Sequence, residues 1–264
     1  MMQAQINRYL DMYHDIMTFG AVITPRGLDC REIGDLQLIV DPQYPFMTFL
    51  HRNYLVEYFK HEMMWKLTAD KYNKSIQKYA RMWEDVINPD GTYNSNYGQF
   101  FFGPGYNVWD VVTELIRDPD SRKAVIPMLN VSHTAPHVVD TVCTEAVGFR
   151  VRSGKLDCSV HMRSSDVVFG LATDIPTFSF LYRLVLGLLQ SNMPLVLGTI
   201  TITAMSSHIY SRHYEMVQKI LDDPTYDPIG MPYCDFPEAM RIIASRGKKD
   251  VLMNAGPLGR FLCA

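Results

Sequence analysis

The sequence predicts an α+β fold, in which a mixed β-sheet carries helices mainly on one side. Helix-like and strand-like periodicities alternate along the chain, and several strand-like segments follow one another closely. Of the 264 residues, 47% are hydrophobic and 20% are charged, which supplies enough apolar side chains for one large core. We therefore expect a single domain that spans residues 1–264.

The helices are predicted from apolar side chains that recur every three or four residues. Such runs cover residues 3–19, 53–67, 75–87, 108–117, 176–190 and 236–245, and a further amphipathic run lies in HYEMVQKIL. The turn sequences NPDG and DPDS end the third and fourth runs. The run at 176–190 is apolar on all sides, so we expect it to be central.

The strands are predicted from alternating apolar residues at positions 36–40 and in AVIPML, VGFRVRSG, KLDCSVHMRS and LGTITITAMSSHIY. The sequence SGK between two of these segments is suited to a hairpin connection. After the helix at 236–245, we expect the chain to continue as a strand or an extended segment. The adjacent strands would build the sheet.

Charge and cysteine usage exclude several classes of function. A net charge of −3 gives no general reason to expect nucleic-acid binding. No apolar run approaches the ~20 residues of a membrane span, and MMQAQINRYL does not have the order of a secretory signal. Five cysteines without a close pair indicate reduced thiols and no zinc site. We expect a cytoplasmic protein that binds neither membrane nor metal.

The stretch from Cys143 to Asp174 concentrates a thiol, a cation, a hydroxyl and carboxylates in a short length of chain. Elsewhere, Glu62 lies among apolar residues, where a buried acid has a raised pKa and can shuttle protons, although the pattern alone favours a structural acid. Arg26 lies in a loop between Pro and Gly, from which it could reach an anion, although surface arginines are usually solvated. Tyr97 is at the centre of a polar-aromatic loop typical of pocket walls.

Five motifs occur in the order found in the thymidylate synthase superfamily, between about residue 26 and residue 219. They are HEMMW, YNSNYG, DPDSRK, GKLDCSVHMRSSDVVFG and HIYSRH. The chain is thereby identified as resembling that superfamily. The resemblance implies a mixed sheet with helices packed mainly on one side and a sheet face that forms the interface of a homodimer.

The resemblance also implies roles for individual residues. Cys143 corresponds to the family's nucleophile, a thiolate whose pKa the nearby Arg163 lowers. The resemblance implies that the 5′-phosphate is bound by Arg26, Arg163 and Ser164, and by Arg122 and Lys123 donated across the dimer interface. The sugar would be bound by His208 and Tyr210. Asp166 would contact both substrate and folate, and folate would also be contacted by Trp83 and Gly170. His208 alone would be interpreted as a core histidine.

Asp174 departs from the family pattern, which has Asn at this position. A carboxyl group pairs with the amino group and ring nitrogen of cytosine, whereas an amide pairs with uracil. Together with Thr144 after the cysteine, this resembles the phage deoxycytidylate hydroxymethylases. The resemblance implies dCMP as substrate, 5,10-methylenetetrahydrofolate as carbon donor, no metal, and Glu62 with Tyr97 as the residues that organise proton transfers and water.

Three other functions stay open. A CMP hydroxymethylase of nucleoside-antibiotic pathways would act on the ribonucleotide, and Lys123 with the surroundings of His208 could admit its 2′-hydroxyl. Thymidylate synthase itself, acting on dUMP, is disfavoured by Asp174. A silent family member could serve as a nucleotide-binding scaffold, although such a protein need not retain Cys143, Glu62 and Tyr97 together. The sequence does not decide between water and hydride as the trapping group.

Overall fold

The computed structural model describes residues 1–52 and 56–264, so the predicted start of the second helix, at 53–55, lies outside the described residues. The strands are β1 (Ala21–Ile23), β2 (Cys30–Val40), β3 (Phe46–Phe49), β4 (Val125–Pro127), β5 (Thr144–Arg152), β6 (Lys155–Met162), β7 (Ser165–Asp166), β8 (Val196–Tyr210) and β9 (Tyr226–Ile229). The helices are α1 (Met2–Phe19), α2 (Val56–Leu67), α3 (Met82–Asp85), α4 (Gly98–Phe101), α5 (Val108–Arg117), α6 (Gly170–Gln190), α7 (Tyr214–Asp222), α8 (Phe236–Ser245), α9 (Lys249–Met253) and α10 (Pro257–Cys263).

The main sheet is mixed, as the sequence predicts. Its strand order within the described residues is β1-β2-β8-β6-β5-β4, and β7 adds to one end of β8. The β6–β8 and β7–β8 pairs are parallel and the other neighbours are antiparallel. Strands β3 and β9 form a separate antiparallel pair. The SGK hairpin is confirmed, because Ser153 and Gly154 both adopt the positive φ of a tight turn between β5 and β6.

One face of the main sheet forms the core. Alternate residues of β8 such as Ile200 and Ile202 are buried, and so are Leu156 and Val160 of β6. Helix α6 covers this face, and although it is long and apolar enough to cross a membrane, 89% of its apolar window is buried inside the protein. The residues of β6 and β8 that alternate with these buried ones face away from the helices and are more exposed. The helices therefore lie mainly on one side.

Three predicted elements differ from those in the structure. Residues 75–87 form a 3-10 turn (Ser75–Lys78) and the short α3 in place of one helix, and the Tyr93 hydroxyl donates to the Trp83 carbonyl of α3 at 2.8 Å. Helix α6 begins at Gly170, six residues earlier than predicted, since Pro176 removes one backbone donor without ending the helix. The C-terminal segment is not extended: α9 and α10 bury Leu252, Leu258 and Leu262.

Candidate active site

The thiol and the guanidinium meet at the open end of the β5–β6 hairpin. Cys143 immediately precedes β5 and Arg163 immediately follows β6, and the register pairs Thr144 with Met162. The Arg163 backbone N–H donates to the Cys143 carbonyl at 2.9 Å. The Arg163 guanidinium donates to the carbonyls of Thr141 (2.7 Å) and Val142, and its Nη2 lies 3.6 Å from the Cys143 Sγ. A tight hairpin therefore places the two predicted partners side by side.

The expectation of a lowered thiol pKa at Cys143 is wrong in its net direction. Burial has the largest influence and raises the pKa of the Cys143 thiol above its usual value. Arg163 and Arg26 lower that pKa, as expected, but Asp174 and Asp140 add to the effect of burial. The sequence motif predicts that Arg163 lies beside the thiol. It does not predict how strongly the site is shielded from water, or that Asp140 and Asp174 lie close enough to raise the pKa of the thiol.

Asp174 lies on the second turn of α6 and faces the same pocket. Burial raises the pKa of its carboxyl to about 7, with a lowering influence from Lys66 and raising influences from Glu62 and Asp166. Among the described residues, no hydrogen-bond donor contacts this carboxyl. An acid that titrates near neutral pH can both donate and accept a proton under ordinary conditions. The sequence predicts this acid in a dry site, but not its position within a helix.

Glu62 and Lys66 form a buried ion pair one turn apart on α2. Their side chains are 7% and 2% exposed, and the Lys66 Nζ lies 3.3 Å from the Glu62 Oε1. The Lys66 ammonium also donates to Thr177 Oγ1 of α6 at 3.1 Å. The second carboxylate oxygen of Glu62, Oε2, is buried and has no hydrogen-bond partner among the described residues. This oxygen can therefore take a proton, or accept a hydrogen bond from a water molecule or from a donor group of a ligand.

Tyr97 connects this acidic region to the thiol. The Thr144 hydroxyl, next to the nucleophile candidate, donates to the Tyr97 phenol oxygen at 3.2 Å. Burial raises the pKa of Tyr97 well above its usual value, with further raising influences from Asp174 and Cys143. The turn that carries Tyr97 is seated directly on α2: a Cβ at Gly98 would lie 1.5 Å from the Lys66 carbonyl oxygen, so only glycine fits there.

The cationic and imidazole groups lie at the other end of the site. Strand β7 pairs Asp166 with His208 of β8, and the rings of His208 and Tyr210 meet at 4.9 Å. Burial lowers the pKa of His208, which favours its neutral form. Arg26 is exposed, has a positive φ of 53°, and is close enough to influence the pKa values of both Cys143 and His208. The structure thus brings Arg26, His208 and Tyr210 towards Arg163.

Other predicted site residues lie apart from this group within the chain. Arg122 and Lys123 are exposed between α5 and β4. Trp83 is 6% exposed, and its indole donates to the Tyr58 hydroxyl at 2.9 Å within an aromatic cluster that includes Trp65 and Tyr93. Gly170 begins α6 beside Asp166, and Ser164 is partly buried next to Arg163.

Two site residues escaped the sequence analysis. Asp140 is 5% exposed and accepts hydrogen bonds from the Ser95 backbone and hydroxyl, and it influences the pKa values of both Cys143 and Tyr97. Only its position three residues before Cys143 could have pointed to it. Lys66 had a clearer signal, because it follows Glu62 by four residues, the spacing of an ion pair on one helix face.

Comparisons with known proteins show the family to which the chain belongs. The family model described as Thymidylate synthase matches residues 7–238. Deoxycytidylate 5-hydroxymethyltransferases of the enterobacteria phages T4 and T2 are each 31% identical over 206 residues, and that of phage T6 is 29% identical over 206. Each alignment covers 74% of this chain and 82% of the phage protein. The chain belongs to the thymidylate synthase family and is a folate-dependent one-carbon transferase.

Proposed function

We propose that this enzyme transfers a hydroxymethyl group to C5 of dCMP. The observation that carries the proposal is Asp174, a carboxyl group with a pKa of about 7 that faces the thiol side of the site and accepts no hydrogen bond from residues 1–52 and 56–264. The similarity to phage enzymes whose name specifies deoxycytidylate supports the same substrate.

Cytosine recognition follows from the proton on Asp174. A protonated carboxyl group donates to N3 of cytosine through its hydroxyl and accepts from the exocyclic amino group through its carbonyl oxygen. Uracil presents N–H at N3 and a carbonyl at C4, so the same carboxyl group would leave donors and acceptors mismatched. A mismatched buried polar group costs about 1–3 kcal/mol or more, which is enough to select the base.

Cys143 is the proposed nucleophile, and its thiolate forms as the nucleotide binds. The thiol gives its proton to solvent and the sulfur forms a bond to C6 of the pyrimidine, which breaks the C5–C6 double bond and places its electron pair on C5 and the C4–N3 system. Asp174 stabilises that charge by giving its proton to N3. The Arg163 Nη2, 3.6 Å from the sulfur, stabilises the thiolate against the raising effect of burial.

The folate co-substrate, 5,10-methylenetetrahydrofolate, supplies a one-carbon unit at the oxidation level of formaldehyde. We assign folate binding to Trp83, Asp166 and Gly170, as the family resemblance implies. Once C5 carries the new carbon and loses its proton, the bond from that carbon to the folate nitrogen breaks, tetrahydrofolate leaves, and water adds to the exocyclic methylene that remains on C5. Glu62, with its unpaired Oε2, and Tyr97 orient the water and accept its proton. Elimination of the Cys143 sulfur completes the reaction.

The remaining contacts hold the nucleotide. Arg26, Arg163 and Ser164 bind the 5′-phosphate, Asp166, His208 and Tyr210 face the nucleoside, and Arg122 with Lys123 is offered to the phosphate of a second protomer. This assignment accounts for the exposure of Arg122 and Lys123 in the single chain and requires a homodimer. The open face of the main sheet, where Ile39 and Met205 are 51% and 62% exposed, is the proposed interface.

The product formed from dCMP and 5,10-methylenetetrahydrofolate tests the proposal. We expect a mass gain of CH₂O, release of tritium from C5-labelled dCMP, and tetrahydrofolate as the folate product. Reactions with CMP and with dUMP run beside it under the same conditions. Preferential turnover of CMP would move the assignment to the ribonucleotide, and a methyl product from dUMP with dihydrofolate would overturn both the base and the trapping group.

A further inference from the structure

A buried lysine occupies the centre of the acidic end of the site. Lys66 is the only charged group within the described residues that contacts the Glu62 carboxylate, at 3.3 Å. Its ammonium also reaches the Thr177 hydroxyl at 3.1 Å and lies 5.0 Å from the centre of the Tyr97 ring. A lysine side chain that is 2% exposed is rare in proteins, since burying its charge costs several kcal/mol unless partners compensate.

The two carboxyl groups of this end differ in their partners. Glu62 has the lysine against one oxygen, whereas Asp174 has no ion pair or hydrogen-bond donor among the described residues. Like charges close together in a dry site disfavour one another, so one cation is sufficient for only one of two neighbouring carboxylates. The contact distance selects Glu62 as the group that Lys66 neutralises.

We propose that Lys66 is a positioning residue that holds the Glu62 carboxylate in an ion pair and leaves Asp174 without one, so that the two carboxyl groups enter the reaction with different partners. This inference rests on the proposed function for the roles of Glu62 and Asp174. Glu62 is then ready to accept a proton from water, and Asp174 is ready to donate one to N3. The same cation also limits how tightly Asp174 holds its proton, because it lowers the pKa of that carboxyl.

The backbone around Lys66 is held by close packing and hydrogen bonds. The Gly98 turn lies against the Lys66 carbonyl, and the Asn96 amide donates to the carbonyls of Trp65 (3.3 Å) and Asp70 (3.1 Å). The other titratable groups that face this cluster come from several elements: Tyr97 from the turn before α4, Asp140 and Cys143 from the segment before β5, and Asp166 from β7. All four acids in or near the cluster (Glu62, Asp140, Asp166 and Asp174) raise the pKa of a neighbour, and Lys66 opposes this effect at Asp174.

Lys60 provides a matched control. It lies on the same helix, is 8% exposed, pairs with Glu57 at 2.5 Å and has its ammonium 5.4 Å from the Phe261 ring centre. Its environment thus repeats the ion pair and the aromatic contact of Lys66. However, Glu57 is 62% exposed and neither group enters the candidate site.

The experiment measures dCMP affinity across pH, without folate, and turnover for the wild type, Lys66→Met, Lys60→Met and Glu62→Gln/Lys66→Met. In the wild type, affinity falls as pH rises through about 7, where Asp174 loses its proton. Lys66→Met shifts that midpoint up by about one pH unit and lowers kcat about 10²-fold, since loss of the cation leaves the Glu62 carboxylate unpaired near Asp174 and no longer held in position for water. The double variant returns the midpoint towards the wild type, and Lys60→Met changes neither quantity.

A purely structural lysine would weaken affinity and turnover together, whereas this role predicts tighter dCMP binding above neutral pH alongside slower turnover. An unchanged midpoint in Lys66→Met would overturn the inference. If that variant does not fold, Lys66→Gln carries the same expectation. Infrared titration of carbon-13-labelled aspartate, with Asp174→Asn to assign the band, reads the Asp174 midpoint without nucleotide. Absence of dCMP binding would therefore refute the proposed function, while the infrared midpoint still decides the role of Lys66.

Discussion

At one end of the candidate site, Glu62 and Lys66 are almost completely buried, and a carboxyl group beside them titrates near neutral pH. At the other end, Arg26 is exposed and Arg163 is only partly buried. Charges at the buried end interact strongly, since little water screens them, and small changes there alter protonation. Charges at the open end act over longer distances but are screened by salt. We infer that the buried end selects the base and the open end sets affinity.

The thiol lies between the two ends, and its replacement should give the largest effect. We expect Cys143→Ser to reduce turnover by at least about 10⁴-fold, because a hydroxyl at this position is a far weaker nucleophile and no second thiol lies in the site. Binding of dCMP should stay within about threefold of the wild type, since neither end loses a contact. Steady-state turnover and calorimetric binding measure the two quantities. Turnover near the wild-type rate would contradict covalent catalysis.

Exchange of the acid at the buried end should change the identity of the base. We expect Asp174→Asn to shift the ratio of kcat/KM for dCMP over dUMP by about 10³-fold or more towards dUMP, because the amide donates to the uracil carbonyl and accepts from its N3–H. Asp157→Asn is the control, as it makes the same exchange at a carboxylate of β6 that pairs with Arg150 and has no role in the proposed site. A dCMP preference that survives in Asp174→Asn would show that another residue reads the base.

The same substitution should also change stability with pH. Because the folded-state pKa of Asp174 is raised to about 7 from 3.8, the folded protein binds the extra proton between those values, and stability falls as pH rises from about 4 to about 7. Asp174→Asn has no charge to bury, so above pH 7 it should be more stable than the wild type by at most about 4 kcal/mol, and by little near pH 4. Urea unfolding at the two pH values measures this difference. An equal difference at both would show that Asp174 is not the titrating group.

The features that could be predicted from the sequence are those that depend on residues close together in the chain. The SGK turn fixes the β5–β6 register, and that register brings Cys143 beside Arg163. The alternating strands and the apolar α6 likewise predict the sheet and the side on which its helices lie. These features depend on local periodicity and on one tight turn, both of which can be read from residue types.

Features that depend on how distant segments share space were not predictable in the same way. The pKa of Cys143 is raised because Asp140 and Asp174, from different segments, enter the same dry pocket. The hydrogen bond from the Tyr93 hydroxyl to the Trp83 carbonyl of α3 likewise depends on how a separate segment packs. Asp140 was missed for the same reason, since its partner Ser95 lies 45 residues away. The donation of Arg122 and Lys123 to a second protomer stays a prediction.

The open end should give the smallest effect of the three substitutions. We expect Arg26→Gln to raise the KM for dCMP about tenfold, which corresponds to about 1.4 kcal/mol, with little change in kcat, since Arg26 would contact the phosphate and not the reacting atoms. Arg8→Gln, an exposed arginine on α1 that interacts with Gln37 and Asp15, is the matched control. The Arg26→Gln effect should shrink as salt is added, because the contact is exposed and therefore screened. A drop in kcat that is insensitive to salt would instead place Arg26 with the buried end of the site, acting on the chemistry of the thiol.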